Sequence, residues 1–157
     1  EIQVVVVCGN NTKLYDHTIE LTNEFDNLKV LGYCREMYEL LEIADLMITK
    51  PGGISLTEAA IKGVPVILYN PVYGQELENA KYFSDKHAAV IVSNETELIY
   101  NVLIILNEDG MLEEMKDNIK QLSRPYSAKV IVEDVLQDSD EYYKEYTRYH
   151  RRTKINS

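Results

Sequence analysis

Five short apolar runs alternate with helical patterns along this chain, and that alternation limits the folds open to it. Gln3 to Cys8 is a continuous β-branched run, and Lys29–Tyr33, Leu46–Thr49, Val64–Tyr69 and Ala88–Val92 follow it. Runs of this kind belong to strands covered on both faces, as in parallel sheets. Between them, residues recur at helical spacing: Leu14, Thr18, Leu21 and Phe25; Met37, Leu40, Leu41 and Ala44; Leu77, Ala80 and Phe83. Gly9-Asn10-Asn11 reads as a turn and helix start, Gly63 as the residue that ends a helix, and Pro65 suits the start of a strand. Beyond the fifth run, Ser93-Asn94 caps a helix carrying Leu98, Val102, Ile105 and Leu106. Another runs from Met111 to Leu122, and a last from Ser127 to about Gln137. Strand and helix alternating at this interval predict right-handed βαβ units and an α/β, doubly wound parallel sheet.

Such sheets bind ligands beyond the carboxyl ends of their strands. Three segments fall there: Gly32 to Met37, Lys50 to Glu58, and Asn70 to Asn79. The second is the most specific. A buried strand turns through Gly52-Gly53 into a helix, where unpaired amides and the positive end of the dipole favour an anion. Ser55 is placed to cap that helix or to donate to a phosphate oxygen. Glu58, one turn on, has the reach for a ribose diol. A nucleotide diphosphate fits this pattern. So does an ordinary βα turn, because Ser55 and Glu58 also have the spacing of a capping box. No G-x-G-x-x-G or Walker motif is present, which argues against a dinucleotide or P-loop enzyme.

The totals narrow the class. A chain of 157 residues suits one domain, and 45% hydrophobic with 27% charged residues is ordinary for a globular protein. No apolar run approaches the ~20 residues that span a bilayer. The start at Glu1-Ile2-Gln3 shows no signal peptide and reads as that of an excised fragment. Two cysteines, Cys8 and Cys34, suggest neither a zinc site nor a disulfide framework and are expected to be reduced, cytosolic and packed in the core. His17, His87 and His150 lack partner spacing. The formal charge is −10, so the body does not attract nucleic acid. The charge is uneven: residues 139–157 hold five Lys/Arg against three Asp/Glu. We therefore divide the chain into a ligand-binding domain over 1–138 and a basic, Tyr-rich tail over 139–157. In the tail, Tyr142, Tyr146 and Tyr149 share one helical face beside Arg148, Arg151 and Arg152. That stripe suits a solvated tail, an interdomain contact or an anionic bilayer.

Lys50-Pro51-Gly52-Gly53-x-Ser55-x-x-Glu58-Ala59, Gly63-x-Pro65 and Gly74-Gln75-Glu76-x-x-Asn79-Ala80 together resemble the donor-binding half of one glycosyltransferase family. That family includes the lipid II N-acetylglucosaminyltransferase and the monogalactosyl- and glucosyl-diacylglycerol synthases. Cys8-Gly9-x-Asn11 and Gly32-Tyr33-x-x-x-Met37 match its diacylglycerol branch. The similarity covers about Val4 to Val92. It implies a Rossmann-like domain, the C-terminal half of a GT-B fold, and an inverting transfer of a hexose from UDP-glucose or UDP-galactose to diacylglycerol or a glycosyl-diacylglycerol. The implied setting is cytoplasmic, peripheral on the inner face of the cell membrane, with no metal or other cofactor.

The resemblance also assigns roles. Gly52, Gly53 and Ser55 would hold the diphosphate and Glu58 the ribose. Cys34 would read uracil through its backbone, with Tyr33 and Met37 lining the base, and Gln75 and Glu76 would bind the sugar. Asn79 is as well suited to bracing the loop as to touching sugar. Each has a plainer alternative: a tight turn for the glycines, core packing for Tyr33 and Met37, solvated caps for Gln75 and Glu76. The family's opening strand with its glycine-rich loop is not found here, nor is the acceptor domain, where the general base is expected. No catalytic residue is assigned, and residues 1–157 alone are expected not to turn over. Two other functions share the pattern, a nucleotide-sugar epimerase and a non-catalytic nucleotide-binding module.

Overall fold

The computed structural model describes residues 2–139. The tail residues Tyr142, Tyr146, Arg148, Tyr149, Arg151 and Arg152 lie outside the described residues. The chain divides between Asp45 and Leu46 into two compact units.

The first unit contains β1 (Val4–Val7), α1 (Thr12–Glu20), β2 (Leu28–Leu31) and α2 (Met37–Ile43). β1 and β2 pair in parallel, with Val4 opposite Leu28 and Val7 opposite Leu31. Both strands therefore end at one edge, where Cys8 N donates to Leu31 O at 2.8 Å. α1 starts where the sequence places it: the Asn11 side chain accepts from Leu14 N at 3.1 Å. The expectation of a first strand covered on both faces is not met. Val4, Val5 and Val7 all remain exposed. Their sheet has two strands, and α1 packs against β2, the partner of β1.

The second unit holds β3 (Met47–Thr49), α3 (Gly53–Lys62), β4 (Val66–Tyr69), α4 (Gln75–Ser84), β5 (Ala89–Val92), α5 (Glu95–Asn107) and α6 (Met111–Gln121). Residues 127–139 are helical and exposed. The strands form a parallel sheet in the order β3-β4-β5. Here the prediction from apolar runs holds, because β4 is central and Val66, Ile67 and Leu68 are fully buried on both faces. Ile67, Val92, Ile105 and Met115 form one cluster of the core, drawn from β4, β5, α5 and α6. Burying each large apolar side chain contributes roughly 1.5–3 kcal/mol, which ties the helices to the sheet. α3 buries Leu56, Ala59 and Ala60 and ends on Gly63 in the left-handed region. Small Ala residues let this helix approach its neighbours closely, and its polar positions stay outside.

Candidate functional site

In the second unit, parallel strands bring two loops to one edge: Lys50–Gly52 after β3, and Asn70–Gly74 after β4. Pro51 is buried and anchors the first loop. Gly52 N donates to Lys50 O at 2.8 Å, and Gly52 is the residue from which α3 begins. Leu56 N is the first helix amide to find an intrahelical acceptor, Gly52 O at 3.0 Å. The amides of Gly53, Ile54 and Ser55 have no acceptor among the described residues, as the geometry of a helix start requires.

The capping box suggested by Ser55 and Glu58 does not form. It needs the serine at the residue before the helix, but Gly52 holds that place and Ser55 is the third residue of α3. Among the described residues, neither the Ser55 hydroxyl nor the exposed Glu58 carboxylate makes a hydrogen bond or ion pair. Both stand one turn apart on the same helix beside the uncapped amides.

Asn79 braces this edge. Its Nδ2 donates to Pro51 O at 3.0 Å, which ties α4 to the glycine turn. Glu76, half-buried in the first turn of α4, accepts from Val72 N at 3.2 Å through Oε2. Gln75, the first residue of α4, is exposed. The structure thus gathers Gly52, Gly53, Ser55, Glu58, Gln75, Glu76 and Asn79 onto one edge of one unit.

Tyr33, Cys34 and Met37 belong to the first unit. Tyr33 lines a cavity of about 450 Å³ with Gly9, Asn10, Thr12, Tyr15 and Gly32, beyond the carboxyl ends of β1 and β2. Cys34 is half-buried with a free thiol, and Met37, also half-buried, opens α2. Two tyrosines and an asparagine amide around such a space suit a planar, hydrogen-bonding ring. Asn10 and Tyr15 were not singled out from the sequence. The only signal was that the turn at Gly9-Asn10-Asn11 and the first turn of α1 adjoin a strand's carboxyl end.

Comparison with known proteins gives the family and the fold. The model of the glycosyltransferase family 28 C-terminal domain matches residues 1–131. A processive diacylglycerol beta-glucosyltransferase of Bacillus subtilis (strain 168) is 51% identical over 141 residues, 89% of this chain and 37% of its own length. The protein of that name from Bacillus pumilus (strain SAFR-032) is 46% identical over the same span. This chain therefore covers little more than a third of these relatives. Among solved structures, MurG of Acinetobacter baumannii aligns with a TM-score of 0.70 at 24% identity, over 88% of this chain and 42% of that one. The glycosyltransferase VinC, solved in complex with dTDP, aligns with a TM-score of 0.59 at 15% identity, over 77% of this chain and 37% of that one. At such identities the likeness concerns the fold, and the fold is the Rossmann-like α/β domain of the C-terminal half of GT-B glycosyltransferases.

Proposed function

The chain belongs to the family of the glycosyltransferase family 28 C-terminal domain, and from that premise we propose that it is the donor-binding part of an inverting UDP-hexose transferase acting on diacylglycerol or a glycosyl-diacylglycerol. The observation that supports this most is the glycine turn. Gly52 has φ −70° and ψ 134°, and neither Gly52 nor Gly53 lies in the left-handed region. A Cβ built on Gly52 would meet nothing within 4 Å, and one on Gly53 would meet only Asn79 Nδ2 at 3.9 Å. The fold therefore does not need glycine at either position. The bare Cα atoms leave space for a phosphate to approach the free amides.

On this reading, Gly52, Gly53 and Ser55 hold the diphosphate, Glu58 accepts from the ribose hydroxyls, and Gln75 and Glu76 bind the hexose. The resemblance alone assigns base recognition to Tyr33, Cys34 and Met37. The acceptor hydroxyl attacks the anomeric carbon, the bond from that carbon to the β-phosphate oxygen breaks, and UDP departs with the charge. Donors aimed at that charge in a dry site stabilise the leaving group, so the helix amides do the work a metal would otherwise do. The base that takes the acceptor's proton is assigned to the acceptor-binding part of the intact protein. The name of the relatives favours glucose and a β-linkage, and a β-product from an α-linked donor requires inversion. No helix among the described residues is long and apolar enough to cross a membrane. A lipid acceptor together with a nucleotide-sugar donor is what supports placing the reaction at the cytoplasmic face of the membrane.

The test is to incubate the intact protein that carries this sequence with UDP-glucose or UDP-galactose and diacylglycerol. Glycosyl-diacylglycerol and UDP in equal amounts are expected, with glucose preferred. Interconversion of the two donors without lipid product would replace the transferase with an epimerase. Tight UDP binding with neither product would leave a binding module.

A further inference from the structure

The loop from β4 to α4 is fixed at several points, yet the ring at its tip is left in water. Asn70 adopts φ 43° and its N–H donates to Val92 O at 2.7 Å. Val72 N donates to the Glu76 carboxylate at 3.2 Å. Gly74 turns the chain into α4 with φ 98° and ψ −140°, a region open only to glycine at little cost, and its carbonyl accepts from Glu78 N at 3.2 Å. Between these anchors Tyr73 is 97% exposed. A flexible tip would lose entropy on binding, whereas this one already has a set backbone. A tyrosine also gives up only two side-chain torsions when it makes a contact.

The position gives the ring a use. The loop lies at the carboxyl edge of the β3-β4-β5 sheet, where the Gly52-Gly53 turn also lies, and the bond from Asn79 Nδ2 to Pro51 O joins α4 to that turn. The next two residues, Gln75 and Glu76, carry amide and carboxylate groups. Glu76 spends one oxygen on Val72 N, and the other is left for a hydroxyl. A pyranose needs both kinds of surface: polar groups at its rim and an apolar plane against its C–H face, which an aromatic ring supplies.

We propose that Tyr73 is the platform for the hexose of the nucleotide sugar, its ring stacked on the C–H face while Gln75 and Glu76 take hydroxyls at the rim. This rests on the donor-binding reading above and adds a residue that reads the sugar and not the nucleotide. The test is calorimetric titration of the intact protein, unsubstituted and as Tyr73→Ala and Tyr73→Phe, with UDP and with UDP-glucose. Tyr73→Ala is expected to weaken UDP-glucose by roughly three- to tenfold, the scale of one aromatic face, and to leave UDP within about twofold. Tyr73→Phe keeps the ring and is expected to bind both as the unsubstituted protein does. Unchanged UDP-glucose binding by Tyr73→Ala would overturn the platform, as would an equal loss for UDP and UDP-glucose, which would mark a loop support. An unsubstituted protein that binds neither ligand would overturn the donor reading and the platform together.

Discussion

Gly52 and Gly53 separate a ligand site from a plain turn because a methyl group added there tests the two ideas in opposite directions. Their backbone angles suit alanine and the space around them is open. Replacing glycine where alanine fits stabilises by about 0.4–1 kcal/mol, because the unfolded chain has fewer states to lose. A phosphate held by the free amides of Gly53, Ile54 and Ser55 at about 2.9 Å is expected to lie against the glycine turn, where an added methyl group would crowd it. Gly52→Ala and Gly53→Ala in the intact protein should therefore unfold at the same or a slightly higher temperature. UDP affinity should fall at least about tenfold, measured by titration on the same samples. Unchanged affinity would return the turn to an ordinary one. The turn itself was legible in the sequence because its signal is local: a strand, two glycines and an acid one helical turn on. The bracing by Asn79 was open from sequence, since its partner, the Pro51 carbonyl, is 28 positions away and meets it only once the sheet brings the start of α4 beside the loop that follows β3. Asn10 and Tyr15 went unmarked for the same reason, as it takes the β1–β2 pairing to set them beside Gly32 and Tyr33.

Two helices of the second unit carry a similar start signal, and only one uses it. At α5, Asn94 Oδ1 accepts from Glu97 N at 2.9 Å while Glu97 Oε2 accepts from Ser93 N at 2.7 Å. Side chain and backbone satisfy each other there, and the helix end is closed. At α3, Ser55-x-x-Glu58 lies inside a helix that has already begun at Gly53, so the end stays open. Spacing alone could not tell these apart, because what decides is where the preceding strand releases the chain. Asn94→Ala should cost about 1 kcal/mol, within the range for lost caps, and lower the midpoint of thermal unfolding by a few degrees. UDP binding should not change. A variant as stable as the original would mean that the cap is replaced by solvent. Element order was well legible, since all five apolar runs became parallel strands and the helical patterns became helices. Burial was less so. An apolar run gives a strand buried at Val66, Ile67 and Leu68 in β4, which has a partner on each side, and a largely exposed one at β1, which has one.

The charge of the chain as a whole bears on how the proposed lipid acceptor would be reached. With a formal charge of −10, the chain is repelled by an anionic bilayer, and that repulsion fades beyond about 8 Å at physiological salt. Attraction must come from a local cluster of the opposite sign. Lys144, Arg148, Arg151, Arg152 and Lys154 supply one within residues 139–157, interleaved with tyrosines that favour the interface between water and lipid. A basic residue near such a surface contributes about 1 kcal/mol, so reversing two of them removes their attraction and adds repulsion of similar size. The double variant Arg151→Glu, Arg152→Glu of the intact protein should therefore bind vesicles containing phosphatidylglycerol at least about tenfold more weakly by co-sedimentation. Its turnover on detergent-dispersed diacylglycerol should be unaffected. The unsubstituted protein should lose most of its own vesicle binding as salt is raised. Equal sedimentation of the two forms at low salt would assign the tail to some contact other than lipid.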